Sequence, residues 1–494
     1  MLENLRNREG PWDLIVIGGG ATGAGCCLDA AARGLEVLLV EQGDFGKGTS
    51  SRSTKLIHGG VRYLEQWNIR LVREALRERG ILCDIAPDYV IRQPFVVPCY
   101  SVWEYLYYGI GLKLYDLLAG KRSLGRSTFL SRKAVIENLA GIAAGGLTGG
   151  IRYFDARFDD ARLLIEILKN AASKGATVLN YSKVKELLKN PDGGIDGVRL
   201  ECFETGEIFE PRAKAVLNAT GAFSDKVRKL SKPESQGLVA ASQGIHLVFD
   251  GEMLKSETAL MIPKTRDGRV LFAIPFYGKL LVGTTDTPVE TLDLEPSARD
   301  DEIDFILDTC AGYFENPPKR SDIRSVFAGI RPLVADSEVR NTAALSRGHV
   351  IEIDGNGLIS VTGGKWTTYR NMAEDAVNMV VSSANLKAGP SVTAKLELDH
   401  MDEFEDTGLE ELLSPDFEWT LADVVRSIRF EMARTVEDIL ARRTRILFLD
   451  ANEAIRVAPI AAELLASELG FDAGWADAQV KAFRETAAGY SVSK

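Results

Sequence analysis

The stretch "DLIVIGGGATGAG", Asp13 to Gly25, carries four apolar residues, Leu14 to Ile17, straight into a cluster of glycines. No other part of the 494-residue chain limits the fold so tightly. A short apolar run ending in Gly18, Gly20 and Gly23 at GxGxxG spacing reads as a buried parallel strand, a tight turn and the start of a helix. "CCLDAAARG" continues the helix, and "EVLLVE", Glu36 to Glu41, reads as the next strand. The three glycines do different things. Gly18 permits the turn, Gly20 lets the backbone approach a pyrophosphate, and Gly23 lets the helix pack against the strand. The helix N-terminus then presents free N–H groups and a positive dipole end to the anion. Glu41, ending the second strand, is placed to accept hydrogen bonds from an adenosine ribose, and its charge disfavours a 2′-phosphate. Strand, turn, helix, strand and acid in that order point to a dinucleotide, without choosing between FAD and NAD.

With 45% hydrophobic and 26% charged residues, a chain of this length has material for ~3 structural units. A net charge of −11 opposes attraction to phosphate backbones, so nucleic acid is not expected as a partner. The six cysteines form no CxxC pair and no metal-ligand spacing, which reads as reduced thiols in a cytoplasmic protein without a metal site. "MLENLRNREGPW" lacks a signal-peptide apolar core, and no uncharged apolar run reaches the ~18 residues of a membrane span.

Two later segments repeat the strand-turn-helix pattern. "AKAVLNATG" is an apolar strand running into a small-residue turn, and "LISVTGGKWTTYRNMAEDAVNMV" is a strand, a Gly-Gly turn and a helix. In a doubly wound sheet such turns lie at the carboxyl ends of strands, where cofactors bind. Between them, "GIHLVFD" and "ALMIPKTRDGRVLFAIPFYGKLLVGTTD" alternate apolar and polar residues around turn signals, which predicts an antiparallel sheet that roofs the cofactor. From about Val392 the chain opens with an extended piece and becomes helical from "TLADVVRSIRFEM" onward.

The segment "GTSSRSTKLIHGGVRYLEQ", Gly48 to Gln66, resembles the flavin-proximal loop of FAD-dependent glycerol-3-phosphate dehydrogenases, members of the D-amino-acid-oxidase-like flavoprotein superfamily. "DDARL" (159–163), "NATGAFSD" (218–225), "GTTD" (283–286), "AGIRPL" (328–333) and "GGKWTTYR" (363–370) extend the resemblance in order over about the first 380 residues. Trp366 departs from the aliphatic residue of the family pattern. The fold implied is α/β: a doubly wound Rossmann-like FAD-binding domain (1–90, 150–235 and 330–388), an antiparallel substrate-binding domain (91–149 and 236–329) and an α-helical C-terminal domain (389–494). FAD would be contacted by Gly18, Gly20, Thr22, Gly23 and Glu41, by Thr49, Ser50, Ser51, Lys55, Leu56, His58 and Gly59, by Val184, Thr220 and Gly221, and by Gly364, Lys365 and Thr367.

The activity implied is oxidation of sn-glycerol 3-phosphate to dihydroxyacetone phosphate by hydride transfer to the flavin, with electrons passed to a quinone or another acceptor. Such a reaction needs cations for the phosphate and a base for the hydroxyl proton. Arg62 with Tyr63, Arg331, Arg347 and Lys365 are the substrate-binding candidates, since arginine's planar fork suits a phosphate and lysine supplies a compact charge. Arg331 in "GIRP", and Lys365 after two glycines at a helix start where a cation needs a nearby anion, have the strongest local support. His246, in "SQGIHLVF", aligns with a segment that supplies an active-site histidine in the family and is the expected base, with Arg331 assisting. His58 is the second choice.

"SVWEYLYYGIGLKLYDLLAGKR" places Trp103, Tyr107, Ile110, Leu114 and Leu117 at helical spacing, with Lys113, Lys121 and Arg122 beside them. A stripe of this kind more often packs into a core, which is the expectation here. The family resemblance implies peripheral contact with the inner face of the cytoplasmic membrane and allows a homodimer. The alternatives that the sequence leaves open are an amine-oxidising sibling flavoprotein and a non-catalytic FAD-binding redox sensor.

Overall fold

The computed structural model describes residues 1–65, 67–335, 348–399 and 408–492, without the side chains of Arg62 and Glu65. The opening motif forms the strand Trp12–Ile17, the helix Ala21–Ala32 and the strand Val37–Val40. These two strands lie inside a six-stranded sheet in the order His349–Ile353, Ile359–Gly363, Ala213–Asn218, Trp12–Ile17, Val37–Val40, Thr177–Leu179. All neighbours are parallel except the edge pair His349–Ile353 and Ile359–Gly363. Such a sheet must be covered on both faces. Leu14, Val16 and Leu39 pack with the helices Ala21–Ala32, Asp160–Ser173 and Tyr369–Ser383, whereas Ile15, Ile17 and Leu38 meet Val198 and Leu200 of a three-stranded antiparallel sheet.

A ten-stranded sheet forms the second layer and is antiparallel apart from the pairing of Ala259–Ile262 with Val90–Cys99. It draws on both sides of the expected boundaries near 150 and 330. Gly149–Phe158 pairs with Val90–Cys99 along its whole length, and Ser325–Val334 pairs with Val239–Asp250. The C-terminal helices Leu421–Phe430, Ala451–Leu469 and Ala473–Ala488 start at Thr420, Asp450 and Asp472, whose side chains accept N–H bonds from the first turn. They close a core that includes Val424, Leu447, Val457 and Phe483 and extends onto Val248, Phe276, Leu281 and Phe327 of the ten-stranded sheet.

The helix Val102–Ala119 differs from the sequence expectation. Its stripe is in solvent: Trp103 is 83% exposed, Ile110 69% and Leu117 76%. The opposite face, with Gly109, Leu112 and Tyr115, is buried against the large sheet. Both faces are apolar, so periodicity alone identified a stripe but not which one packs. The cations beside it are partly committed within the protein, since Lys113 donates to the Ser127 carbonyl and Arg122 to the Arg77 carbonyl. All six cysteines are free thiols.

Candidate active site

At the carboxyl ends of the parallel strands lies a cavity of about 660 Å³ whose wall includes Gly18, Gly20, Thr22, Glu41, Thr49, Ser50, Val184, Thr220, Gly221, Gly364 and Lys365. The sterics of the opening turn are explicit. A Cβ on Gly23 would stand 1.9 Å from the Gly18 carbonyl oxygen, and one on Gly18, at φ +111°, would stand 2.7 Å from that of Ala219. Helix Ala21–Ala32 has no acidic residue in its first turn, leaving its dipole end uncompensated toward the cavity. The Ala21 N–H donates to Ser50 Oγ at 2.9 Å, which ties the turn to the Gly48–Gly59 loop. The Glu41 carboxylate accepts the N–H groups of Gly19 and Gly43 at 2.8 and 3.0 Å, and burial raises its pKa against those bonds. This cradle of backbone, small side chains and a bare helix end fits the pyrophosphate and adenosine of FAD.

The far wall comes from the Gly-Gly turn. Gly363 and Gly364 have φ of +82° and +71°, a conformation that favours glycine. Trp366, where the chain departs from the family pattern, donates its indole N–H to the Ser50 carbonyl at 2.8 Å and meets Phe158 and Tyr369 edge-on, so it locks the turn to the loop. Lys365 Nζ lies 3.8 Å from the centre of the Tyr63 ring, a cation–π contact that unites two substrate candidates. Thr367 Oγ1 accepts the His58 N–H at 3.2 Å and holds that stretch from behind.

Lys55 is directed elsewhere. Its ammonium donates to both Asp160 oxygens and to the Ser51 carbonyl, at 2.7 to 2.8 Å, deep in the protein. Burial and the neighbouring Arg445 push it down to about 7 despite Asp160. Lys55 therefore shapes the loop rather than lining the cavity, as do Ser51 and Leu56, which are buried beneath it. The "DDARL" motif supplies that support: Asp159 caps the helix Asp160–Ser173, and Asp160 also accepts the Ser53 N–H and hydroxyl.

On the large sheet, His246 and Arg331 share one face of paired strands, in the register Ser242↔Arg331, Gly244↔Gly329, His246↔Phe327. A Cβ on Gly244 would stand 2.1 Å from Arg331 Nη2, so glycine there is what lets the guanidinium lie across the strand. Nη2 donates to Thr284 Oγ1 and the Thr285 carbonyl, both at 2.9 Å, and Nη1 stands 3.9 Å from the Asp286 carboxylate. His246 is 2% exposed and stacked on Phe327 with 4.9 Å between ring centres. Burial, then Lys55 and Arg331, hold its pKa well below the ordinary imidazole value. The downward direction is the one its cationic surroundings require.

Arg347 and the Arg62 side chain lie outside the described residues. Sequence reasoning missed Thr54, whose Oγ1 is 2.9 Å from His246 Nε2, and Arg445, which reaches from the C-terminal helices to the Ser51 carbonyl and Asp160. Thr54 sits inside the Gly48–Gly59 loop, but nothing local distinguishes it from Ser53; Arg445 lies 394 residues from Ser51 in sequence.

Residues 13–370 match the family model of FAD dependent oxidoreductases, and residues 392–477 match the C-terminal domain of alpha-glycerophosphate oxidase. Mitochondrial glycerol-3-phosphate dehydrogenase of Homo sapiens is 39% identical, with 93% of this chain and 71% of that protein covered. The enzyme of Arabidopsis thaliana is 38% identical over 94% of this chain and 84% of its own length. The crystal structure of glycerol-3-phosphate dehydrogenase from Bacillus halodurans, complexed with FAD, superposes with a TM-score of 0.78 at 27% identity, covering 98% of this chain and 96% of that one. Together with a cavity shaped for FAD and a helical domain of the matching kind, these likenesses establish that the chain belongs to the FAD-dependent glycerol-3-phosphate dehydrogenases.

Proposed function

We propose that the enzyme oxidises sn-glycerol 3-phosphate at C2 with Arg331 and Lys365 as phosphate or oxyanion contacts and His246 as the proton acceptor, and hands the electrons to a quinone. FAD, when bound, would supply the two-electron oxidising power. The chain's part is to bind, orient and deprotonate. The observation that carries this reading is the placement of Arg331 and His246 on one sheet face, with Gly244 between them. A guanidinium there would hold the phosphoryl or developing alkoxide oxygen on the sheet face that carries the imidazole. Lys365, seated on Tyr63 at the cofactor cavity, supplies a second fixed charge. With Arg331 and Lys55 nearby, His246 stays neutral in the physiological range and so keeps a lone pair for the C2 hydroxyl proton. Arg62 and Arg347 complete the proposed set of cations, and Glu41 the proposed ribose contact.

A quinone acceptor dissolves in lipid, which gives the exposed face of the Val102–Ala119 helix a purpose. Trp103, Ile110 and Leu117 would enter the interface of the cytoplasmic membrane, with Lys121 near the head groups. None of the described helices is long and apolar enough to cross a membrane.

Anaerobic mixing with substrate tests the assignment. Glycerol 3-phosphate should bleach the flavin, while glycerol and amino acids should not. Arg331→Ala should keep FAD and lose at least ~10²-fold in kcat/KM, as charge-assisted contacts of ~1.5–3 kcal/mol each are removed and C2 loses its alignment. Equal losses for phosphate-bearing and phosphate-free alcohols would refute the role of Arg331.

A further inference from the structure

His246 has no direct opening to a substrate. Phe327 covers one side of the ring, and Gly283 lies so close that a Cβ there would stand 2.3 Å from Cδ2. At the ring tip, Nε2 is 2.9 Å from Thr54 Oγ1. Nδ1 is buried with no hydrogen-bond partner among the described residues. Thr54, by contrast, is only half-buried, on the same loop whose Thr49 and Ser50 line the cofactor cavity.

We propose that the Thr54 hydroxyl relays the substrate's C2 hydroxyl proton to His246 Nε2, so that Thr54 is a catalytic residue in the path to the imidazole. The inference rests on the reading of His246 as the proton acceptor. The substrate O–H bond breaks as a new Oγ1–H bond forms, and the original Thr54 proton moves to Nε2. Thr54 ends as a neutral hydroxyl and His246 as an imidazolium. The oxygen's electron pair closes the C2 carbonyl as C2 gives up its hydrogen with the bonding pair, which bound FAD would accept. A hydroxyl is suited to this because it donates and accepts at once.

The relay sets a condition on the resting enzyme. Nε2 must be the acceptor of the Thr54 hydrogen bond, so the ring proton sits on Nδ1. The charged groups facing the ring are Lys55 from the loop and Arg331 from the Ser325–Val334 strand, with Asp160 and Arg445 behind Lys55. Arg331 is a fixed cation and Lys55, held down to about 7, carries only part of a charge near neutrality; with burial, both disfavour the imidazolium.

Point variants and one spectrum test the proposal. Thr54→Val removes the hydroxyl and keeps the shape; it should slow flavin reduction by ~10²-fold with FAD content unchanged and KM altered less than ~3-fold. Thr54→Ser should restore the rate to within ~3-fold of the unmodified enzyme, with the same acidic limb in the pH profile. Ring-¹⁵N histidine spectra, with His246→Gln used to identify the signal, should place the resting proton on Nδ1. This measurement needs no turnover and decides the matter even if Thr54→Val loses FAD. A normal rate in Thr54→Val beside a slow His246→Ala overturns the relay and keeps His246 as base. Normal rates in both overturn the base assignment itself. Equal loss in the Val and Ser variants, or a resting proton on Nε2, also overturns the relay.

Discussion

The Val102–Ala119 helix and the seam between the FAD-binding domain and the C-terminal helices depart from ordinary polarity in opposite directions. The helix holds tryptophan, isoleucine and leucine in solvent. The seam holds charges in the interior: Asp44 binds Arg442 at 2.5 Å and Arg443 at 2.8 and 2.9 Å, and Arg162 binds Glu431 at 2.6 and 2.8 Å, all of them shielded from solvent or nearly so. The seam's charges are matched within the chain, whereas the helix's apolar face is left open to solvent. Buried charges are tolerable only when every one is matched inside the same chain. A large apolar face left open is the usual mark of an interaction surface.

The largest effect should come from breaking the seam. Asp44→Ala removes the carboxylate shared by two buried guanidiniums, leaving Arg442 to Glu437 and Asp438 and Arg443 to Glu431, and should cost about 3 kcal/mol, seen as a lower unfolding midpoint and faster proteolysis after residue 389. A midpoint unchanged within error would mean that the ion cluster contributes nothing to docking.

Acid should open the same seam reversibly. Arg162, together with Arg443 and Arg426, overcomes burial and holds Glu431 at about 2, against an ordinary 4.5. A carboxylate depressed in the folded state contributes stability above its unfolded pKa and loses it as pH falls toward the folded value. The loss should run from about pH 4.5 to about pH 2 and amount to roughly 3 kcal/mol from Glu431 alone. Glu431→Gln should flatten that part of the stability curve; an identical acid limb would assign the effect to other carboxylates.

The helix can be split into its two faces. Leu112→Ala, on the buried face, should cost about 2–3 kcal/mol in urea unfolding through the cavity it leaves. A cost near zero would mean that this face does not hold the helix to the sheet.

Leu117→Ala should shift stability by less than ~0.5 kcal/mol. Combined with Trp103→Ser and Ile110→Ser, it should abolish co-sedimentation with anionic vesicles while flavin reduction in solution is unaffected. Full retention on vesicles would remove this face from the proposed membrane contact.

Much of the cofactor cavity was legible in advance, because its requirements are local. Gly18 and Gly23 sit within six residues, and the positive φ of the first and the missing Cβ of the second, 1.9 Å from the Gly18 carbonyl oxygen, are properties of the turn itself. The strand-turn-helix units at Asn218 and Gly363 declared themselves through the same chemistry. His246 and Arg331 are candidates through resemblance; their placement on either side of Gly244 is a matter of strand register, which no stretch of either strand specifies alone. Lys55 shows the limit most clearly. A lysine in a flavin-proximal loop reads as a cofactor contact, yet Asp160 and the Ser51 carbonyl draw its charge inward.

The dinucleotide turn, the α/β order with its antiparallel insert and helical tail, and the separateness of the cysteines are written in the chain itself, because each follows from steric or periodic rules acting over a few residues. Which face of the Val102–Ala119 helix meets solvent, how Trp366 braces the loop at Ser50, and that Thr54 stands at the tip of His246 emerge with the closed fold. Those outcomes depend on which of several chemically acceptable partners, some of them hundreds of residues away, folding brings within hydrogen-bonding or packing distance.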